Sequence, residues 1–183
     1  MNLFEILHRL SEDYRLPFVV IGGHAVNALG YSRQTLDLDL MVRRADRDAW
    51  LAALAGIGYG LDRDGEVFLQ LAPGLRGMWP IDLMLANERT FDGVFAESTT
   101  REFRGASLRV PSLEHLFALK LHALKHGLPH RDAKDFGDLT QLILANTVDV
   151  RGQKFRQLVE KYGTTQIYER LLQTAGPGPT GPQ

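Results

Sequence analysis

Leu3, Ile6, Leu7 and Leu10 recur at helical spacing, so residues 2–14 are predicted as an amphipathic helix. Pro17 closes that segment, and Phe18-Val19-Val20-Ile21 is a short apolar run of the buried-strand type. Gly22-Gly23 ends the run. His24 to Leu29 then reads as a short helix stopped by Gly30. Leu36 to Val42 alternates with a period of two and is predicted as a strand. A helix is expected over Asp46–Ala55, with Asp46 as its N-cap. Residues 66–72 and 79–85 read as two further strands. The stretch 94–110 is weaker, with short strands expected around Val94-Phe95 and Leu108-Val110.

After Pro111 the period becomes helical. Leu113, Leu116, Phe117, Leu119, Leu121 and Leu124 lie in a helix over Ser112–Lys125, with Ser112 as N-cap and Gly127 as stop. A second helix is expected over Asp132–Leu144, and one or two more over 151–172. The tail, 175–183, is rich in Gly and Pro and is expected to be disordered. The layout is an α/β (α+β) portion over residues 1–110, then a helical region over 111–174 closing one side of a cleft.

Composition narrows the chemistry. With 183 residues, 44% of them apolar and 23% charged, the chain has the balance of a folded globular domain. The absence of cysteine excludes disulfides, thiolate metal sites and a Cys nucleophile. No stretch approaches 18 apolar residues and the N-terminus lacks the apolar core of a signal peptide. A cytoplasmic protein without a membrane partner is therefore expected. Net charge is −1, but residues 1–100 hold nine Arg or Lys against 14 Asp or Glu, and residues 101–183 hold 12 against 8. All five lysines lie in the second part. That asymmetry fits a cleft with metal on one wall and phosphate on the other, or plain compositional drift.

The acidic positions carry the sharpest signal. In Leu36-Asp37-Leu38-Asp39-Leu40, a strand would turn Asp37 and Asp39 to one face and the three leucines to the core. Paired carboxylates on an apolar strand repel each other unless a cation lies between them, and hard divalent ions prefer this oxygen donor set. The competing reading is an edge strand with a solvated acidic face. Ile81-Asp82-Leu83 places another Asp in an apolar strand, where it either joins the pair or makes a strand-end turn. Three converging carboxylates suit two metals about 4 Å apart for in-line displacement at phosphorus. Val20-Ile21-Gly22-Gly23-His24 is a strand, two glycines and a helix start, a backbone that can approach a phosphate closely.

Together these elements resemble the DNA polymerase β-like nucleotidyltransferase superfamily. The run GGHAVNALGYSRQTLDLDLMV is more narrowly similar to the AbiEii/AbiGii-type toxin nucleotidyltransferases and their small relatives, through Gly30, Arg33, Thr35, Asp37 and Asp39. Lys120 in LFALKLHAL and Lys134-Asp135 in RDAKDFGDL are the candidates for that family's helix Lys and later basic-Asp pair. The resemblance covers roughly residues 15–145. It implies a nucleotidyltransferase-like core with a mixed sheet that moves an NMP from an NTP to an acceptor hydroxyl. By the same token, Gly22, Gly23, His24, Arg33 and Thr35 would bind the nucleotide, and Asp37, Asp39 and Asp82 would hold Mg²⁺ or Mn²⁺. Asp82 would also help deprotonate the acceptor. Arg33 and Lys120 would face the triphosphate, with Asp135 orienting a cation or touching the acceptor. The implied acceptor is tRNA or another RNA, and the implied protein partner a cognate antitoxin. His24 departs from the Ser or Thr that many members carry after the second Gly. Two other readings stay open: an aminoglycoside-type enzyme, and a non-catalytic nucleotide-binding or antitoxin-like module of the same fold.

Other residues divide less clearly. His115, His122, His126 and His130 cluster, with His122 and His126 four apart, but no HExxH pattern accompanies them. Lys125, Arg131 and Lys134 form either a solvated face or a track for an RNA backbone. Asp132 and Asp138 share helical spacing with Asp135, and Asp132 could cap the helix. Trp50 and Trp79 read as packing residues.

Overall fold

A computed structural model of the chain describes residues 1–127 and 129–174, with side chains at all of these except 129–131. The segment 175–183 and the side chains of His130 and Arg131 lie outside the described residues. The chain divides into two units, Met1–Ala28 with Ser32–Ser112, and Leu29–Tyr31 with the residues from Leu113 onward.

In the first unit, α1 (Leu3–Tyr14), β1 (Phe18–Val20), α2 (Gly22–Ala28), β2 (Leu38–Arg43) and α3 (Arg47–Ala55) come first. They are followed by β3 (Tyr59–Asp64), β4 (Phe68–Pro73), β5 (Ile81–Ala86), α4 (Glu88–Ala96), β6 (Thr99–Phe103) and β7 (Ala106–Val110). Five strands form a mixed sheet in the order β1-β2-β5-β4-β3, with β2 and β5 parallel and the other neighbours antiparallel. β6 and β7 form a separate hairpin. Leu38, Leu40, Val42, Leu69, Leu71, Ile81 and Leu83 point alternately into one core and are almost fully buried. Burying such a side chain contributes roughly 1.5–3 kcal/mol, so this face fixes the register of the central strands.

Asn2 caps α1: its Oδ1 accepts from the N–H groups of Phe4 and Glu5, and Glu5 returns a bond to the Asn2 N–H. Asn2 Nδ2 also donates to the carbonyl of Arg104, 2.8 Å away in the turn of the β6–β7 hairpin. That turn has positive φ at both Arg104 (47°) and Gly105 (92°).

Four details differ from the periodicity reading. β2 begins at Leu38, so Asp37 precedes the strand and Leu36 is 66% exposed instead of facing the core. Val94-Phe95 belongs to α4, because Asn87 caps a helix there and Phe91 and Val94 bury one turn apart. β3 was not expected: only Tyr59 is buried in it, so no alternating apolar signal marks this edge strand. Asp46 sits in a short 3-10 turn before α3, and its side chain makes no capping bond.

The second unit holds α5 (Leu113–His126), α6 (Pro129–Ala145), α7 (Gln153–Tyr162) and α8 (Thr165–Thr174). Pro129 starts α6, so His130 belongs to a different helix from His122 and His126 on α5, consistent with the preference of Pro for a first helical turn. Phe117 on α5 meets Phe155 on α7 edge-on, with ring centroids 5.7 Å apart. No helix among the described residues is long and apolar enough to cross a membrane.

Candidate active site

The parallel pairing of β2 and β5 sets Asp39 directly opposite Asp82. Asp37, two residues upstream of Asp39, joins them. One carboxylate oxygen from each of the three lies within 4.8 Å of the others, and all three residues are half-buried. No other group of three or more His, Asp or Glu among the described residues is arranged to hold a metal ion. Three ionised oxygens gathered this closely suit a hard divalent cation, which offsets their mutual repulsion.

Gly22 and Gly23 are small because this cluster needs their space. Gly22 has φ +61°, and a Cβ built there would fall 1.8 Å from Asp39 Oδ2. A Cβ on Gly23 would fall 2.5 Å from Thr35 Oγ1. The Ile21 N–H donates to the Asp39 carbonyl at 2.9 Å, locking the glycine turn to β2. Gly22→Ala therefore combines left-handed backbone strain with a collision. The expected loss of stability is about 2–4 kcal/mol, read from the denaturant midpoint at constant m-value.

Thr35 Oγ1 donates to Asp37 Oδ1 at 2.8 Å, so this hydroxyl braces a carboxylate. Arg33 is held by Asn27, which donates from Nδ2 to its carbonyl and accepts its N–H at Oδ1, both at 2.9 Å. Arg33 Nη1 lies beside Gly23 and donates to the Gln34 carbonyl at 3.1 Å.

His24 turns into an aromatic cluster. Its ring lies 5.2 Å from that of Phe4 and 5.0 Å from that of Trp79, while the Arg104 guanidinium sits 5.3 Å over Trp79. The His24 Nε2 is buried and has no hydrogen-bond partner. Burial pushes the imidazole below its ordinary pKa; Asp37 pulls it up, and Arg104 and Arg33 push it down. A depressed histidine contributes stability above the ordinary value near 6.5 and loses it as the pH falls. His24→Phe keeps the packing and removes the buried nitrogen. Its thermal midpoint should therefore fall less than the wild type's between pH 7 and pH 5, and nucleotide transfer should persist if His24 is a packing residue.

In the second unit, Lys120 is buried on α5. Its Nζ donates to Asp135 Oδ1 and Asp138 Oδ2 of α6, each at 2.7 Å. Asp135 thus orients Lys120. Asp138 completes the same clamp. Asp132 is paired with Arg170 through two bonds of 3.1 and 2.8 Å, and the guanidinium holds its carboxyl below the usual range. His122 and His126 are exposed neighbours with ring centroids 4.5 Å apart.

A family model for the AbiEii nucleotidyl transferase toxins of type IV toxin–antitoxin systems matches residues 5–179. This chain belongs to that family. The AbiEii-family chain is accordingly a nucleotidyltransferase, and several solved structures share its fold. One is ANT(2")-Ia in complex with adenylyl-2"-tobramycin, at TM-score 0.63 and 18% identity over 86% of this chain and 92% of that one. Another is the lincosamide antibiotic adenylyltransferase LnuA, lincomycin-bound, at TM-score 0.55 and 20% identity over 76% and 95% of the two chains. A third is an antigenic nucleotidyltransferase-like protein from Paracoccidioides brasiliensis, at TM-score 0.57 and 15% identity over 94% and 91%. At these identities the likeness concerns the fold. A search of curated protein sequences found no match.

Several residues around the AbiEii-family site escaped the spacing argument. Asn27, Gln70 and Arg104 carry no motif of their own. Gln70 sits mid-strand between Leu69 and Leu71, and only the β4–β5 register shows that it faces Asp82.

Proposed function

We propose that this AbiEii-family enzyme transfers an NMP from an NTP to a hydroxyl of an RNA acceptor, tRNA being the leading candidate. It acts as a toxin restrained by a cognate antitoxin. The observation that carries the chemistry is the convergence of Asp37, Asp39 and Asp82 within 4.8 Å. These three residues would hold Mg²⁺ or Mn²⁺. When bound, the cation neutralises phosphate charge and favours the ionised form of the acceptor hydroxyl.

The chain's own residues supply position and charge. The nucleotide's phosphates lie over the Gly22-Gly23 turn, with Arg33 as the adjacent fixed cation. Asp82 takes the acceptor hydroxyl proton as its oxygen attacks the α-phosphorus. The new O–P bond forms as the bond to the β-phosphate breaks, and pyrophosphate leaves with the electron pair. No covalent enzyme intermediate is needed, which fits the lack of Cys in the chain. Lys120 has a structural part in this scheme, because Asp135 and Asp138 already occupy its ammonium group.

A small-molecule acceptor is the second reading, favoured by the fold's likeness to the ANT(2")-Ia and LnuA structures. Incubation with α-labelled NTPs and Mg²⁺ separates the two. Label should pass to total RNA and not to tobramycin. Transfer to tobramycin alone would reverse that choice of acceptor, and transfer to neither would remove both.

A further inference from the structure

The catalytic face of the sheet carries a residue that the reaction scheme does not yet use. Gln70 on β4 stands opposite Asp82 on β5, which stands opposite Asp39 on β2. Gln70 Nε2 lies 3.4 Å from Asp82 Oδ1 and 3.3 Å from Oδ2, so the amide straddles the carboxylate. An ionised carboxylate only accepts, so the amide must present its NH₂ group. The flanking Leu69 and Leu71 are buried at 0% and 2% exposure on the other face, which prevents Gln70 from turning away from Asp82.

We propose that Gln70 is a positioning residue that sets the plane of the Asp82 carboxylate for the divalent cation and for the acceptor hydroxyl. The proposal rests on the assignment of Asp82 above. The carboxylate has two tasks at one atom group: one oxygen faces the shared centre with Asp37 and Asp39, and a lone pair must remain for a proton. Free rotation about its terminal bond would scramble those tasks. A donor across the strand restrains that rotation. Neutrality matters as well, because a Lys or Arg at position 70 would compete with the divalent cation for the same oxygens. Thr35 braces Asp37 in the same way, with an uncharged hydroxyl at 2.8 Å. Asp37 and Asp82 thus each have an uncharged side-chain donor, one from the loop before β2 and one from the neighbouring strand.

Mn²⁺ binding to the full chain, without nucleotide, tests this through the paramagnetic resonance signal of the free ion. Gln70→Leu should weaken Mn²⁺ about tenfold, within the range found for outer-shell partners of metal ligands, while the thermal midpoint without metal stays at the wild-type value. Gln70→His, which returns an N–H at similar reach, should recover most of that affinity. The loss in transfer activity should fall on kcat, with KM for the NTP changed less than twofold. Gln70→Met carries the same comparison if Leu perturbs the strand. Wild-type Mn²⁺ affinity in Gln70→Leu or Gln70→Met would overturn the proposal, because a purely structural cross-strand pair predicts that result. Asp82→Asn is the control on the underlying assignment: if it binds Mn²⁺ as tightly as the wild type, Asp82 is not a ligand and both readings fall.

Discussion

Asp39→Ala should abolish labelled-nucleotide transfer to RNA while leaving the protein folded. The carboxylate sits opposite Asp82 and packs against Gly22, so its removal takes one of the three proposed metal-holding groups from the cluster. Divalent-cation stabilisation of a phosphoryl transition state is worth several kcal/mol, and about 4 kcal/mol is about a thousandfold in rate. Transfer by the variant should therefore fall by at least that factor. Stability behaves differently. Without metal, three crowded carboxylates repel, so deleting one should leave the thermal midpoint unchanged or raised. Added Mg²⁺ should raise the midpoint of the wild type and not that of Asp39→Ala, because only binding to the native state shifts the equilibrium. Equal labelling by the two proteins, with equal Mg²⁺ response, would remove the catalytic reading.

The second large effect is expected at Lys120. Its ammonium is buried between Asp135 and Asp138 at 2.7 Å from each. Lys120→Met keeps the volume and leaves two facing carboxylates without their shared cation. Removing one partner of a buried ionic group costs about 3–5 kcal/mol, and chemical denaturation should show a loss of that size. Replacing both acids as well, in Lys120→Met with Asp135→Asn and Asp138→Asn, should recover part of it. A phosphate-binding Lys predicts the opposite outcome: near-native stability with a raised KM for the NTP. The two readings are thus separated by which measurement moves.

Much of the fold was legible because its central strands are buried on one face or both. Phe18–Val20, Leu38–Arg43 and Ile81–Ala86 carry strong apolar signals, and the helices after Pro111 have apolar residues at helical spacing. The edge strand at Tyr59–Asp64 was not legible, since hydrogen bonds to a neighbour hold it while its side chains face solvent. Val94-Phe95 misled because β-branched and aromatic residues also suit a helix face that packs on a core. At the site, Asp37 and Asp39 were visible from local spacing. Their meeting with Asp82 depended on β2 and β5 being neighbours, which no local pattern states. Gln70 needed one step more, the register of a third strand. Lys120 was visible as a residue, but its partners were not, because a sequence does not show which acids on the next helix face it.

The side-by-side placement of Asp39 and Asp82 also guards assembly. Sliding β5 by one residue along β2 would swing Asp82 into the leucine-lined interior and push Ile81 and Leu83 out to solvent. Asp82 thereby penalises every odd misalignment of the two central strands, so the carboxylate proposed for the chemistry also enforces correct threading.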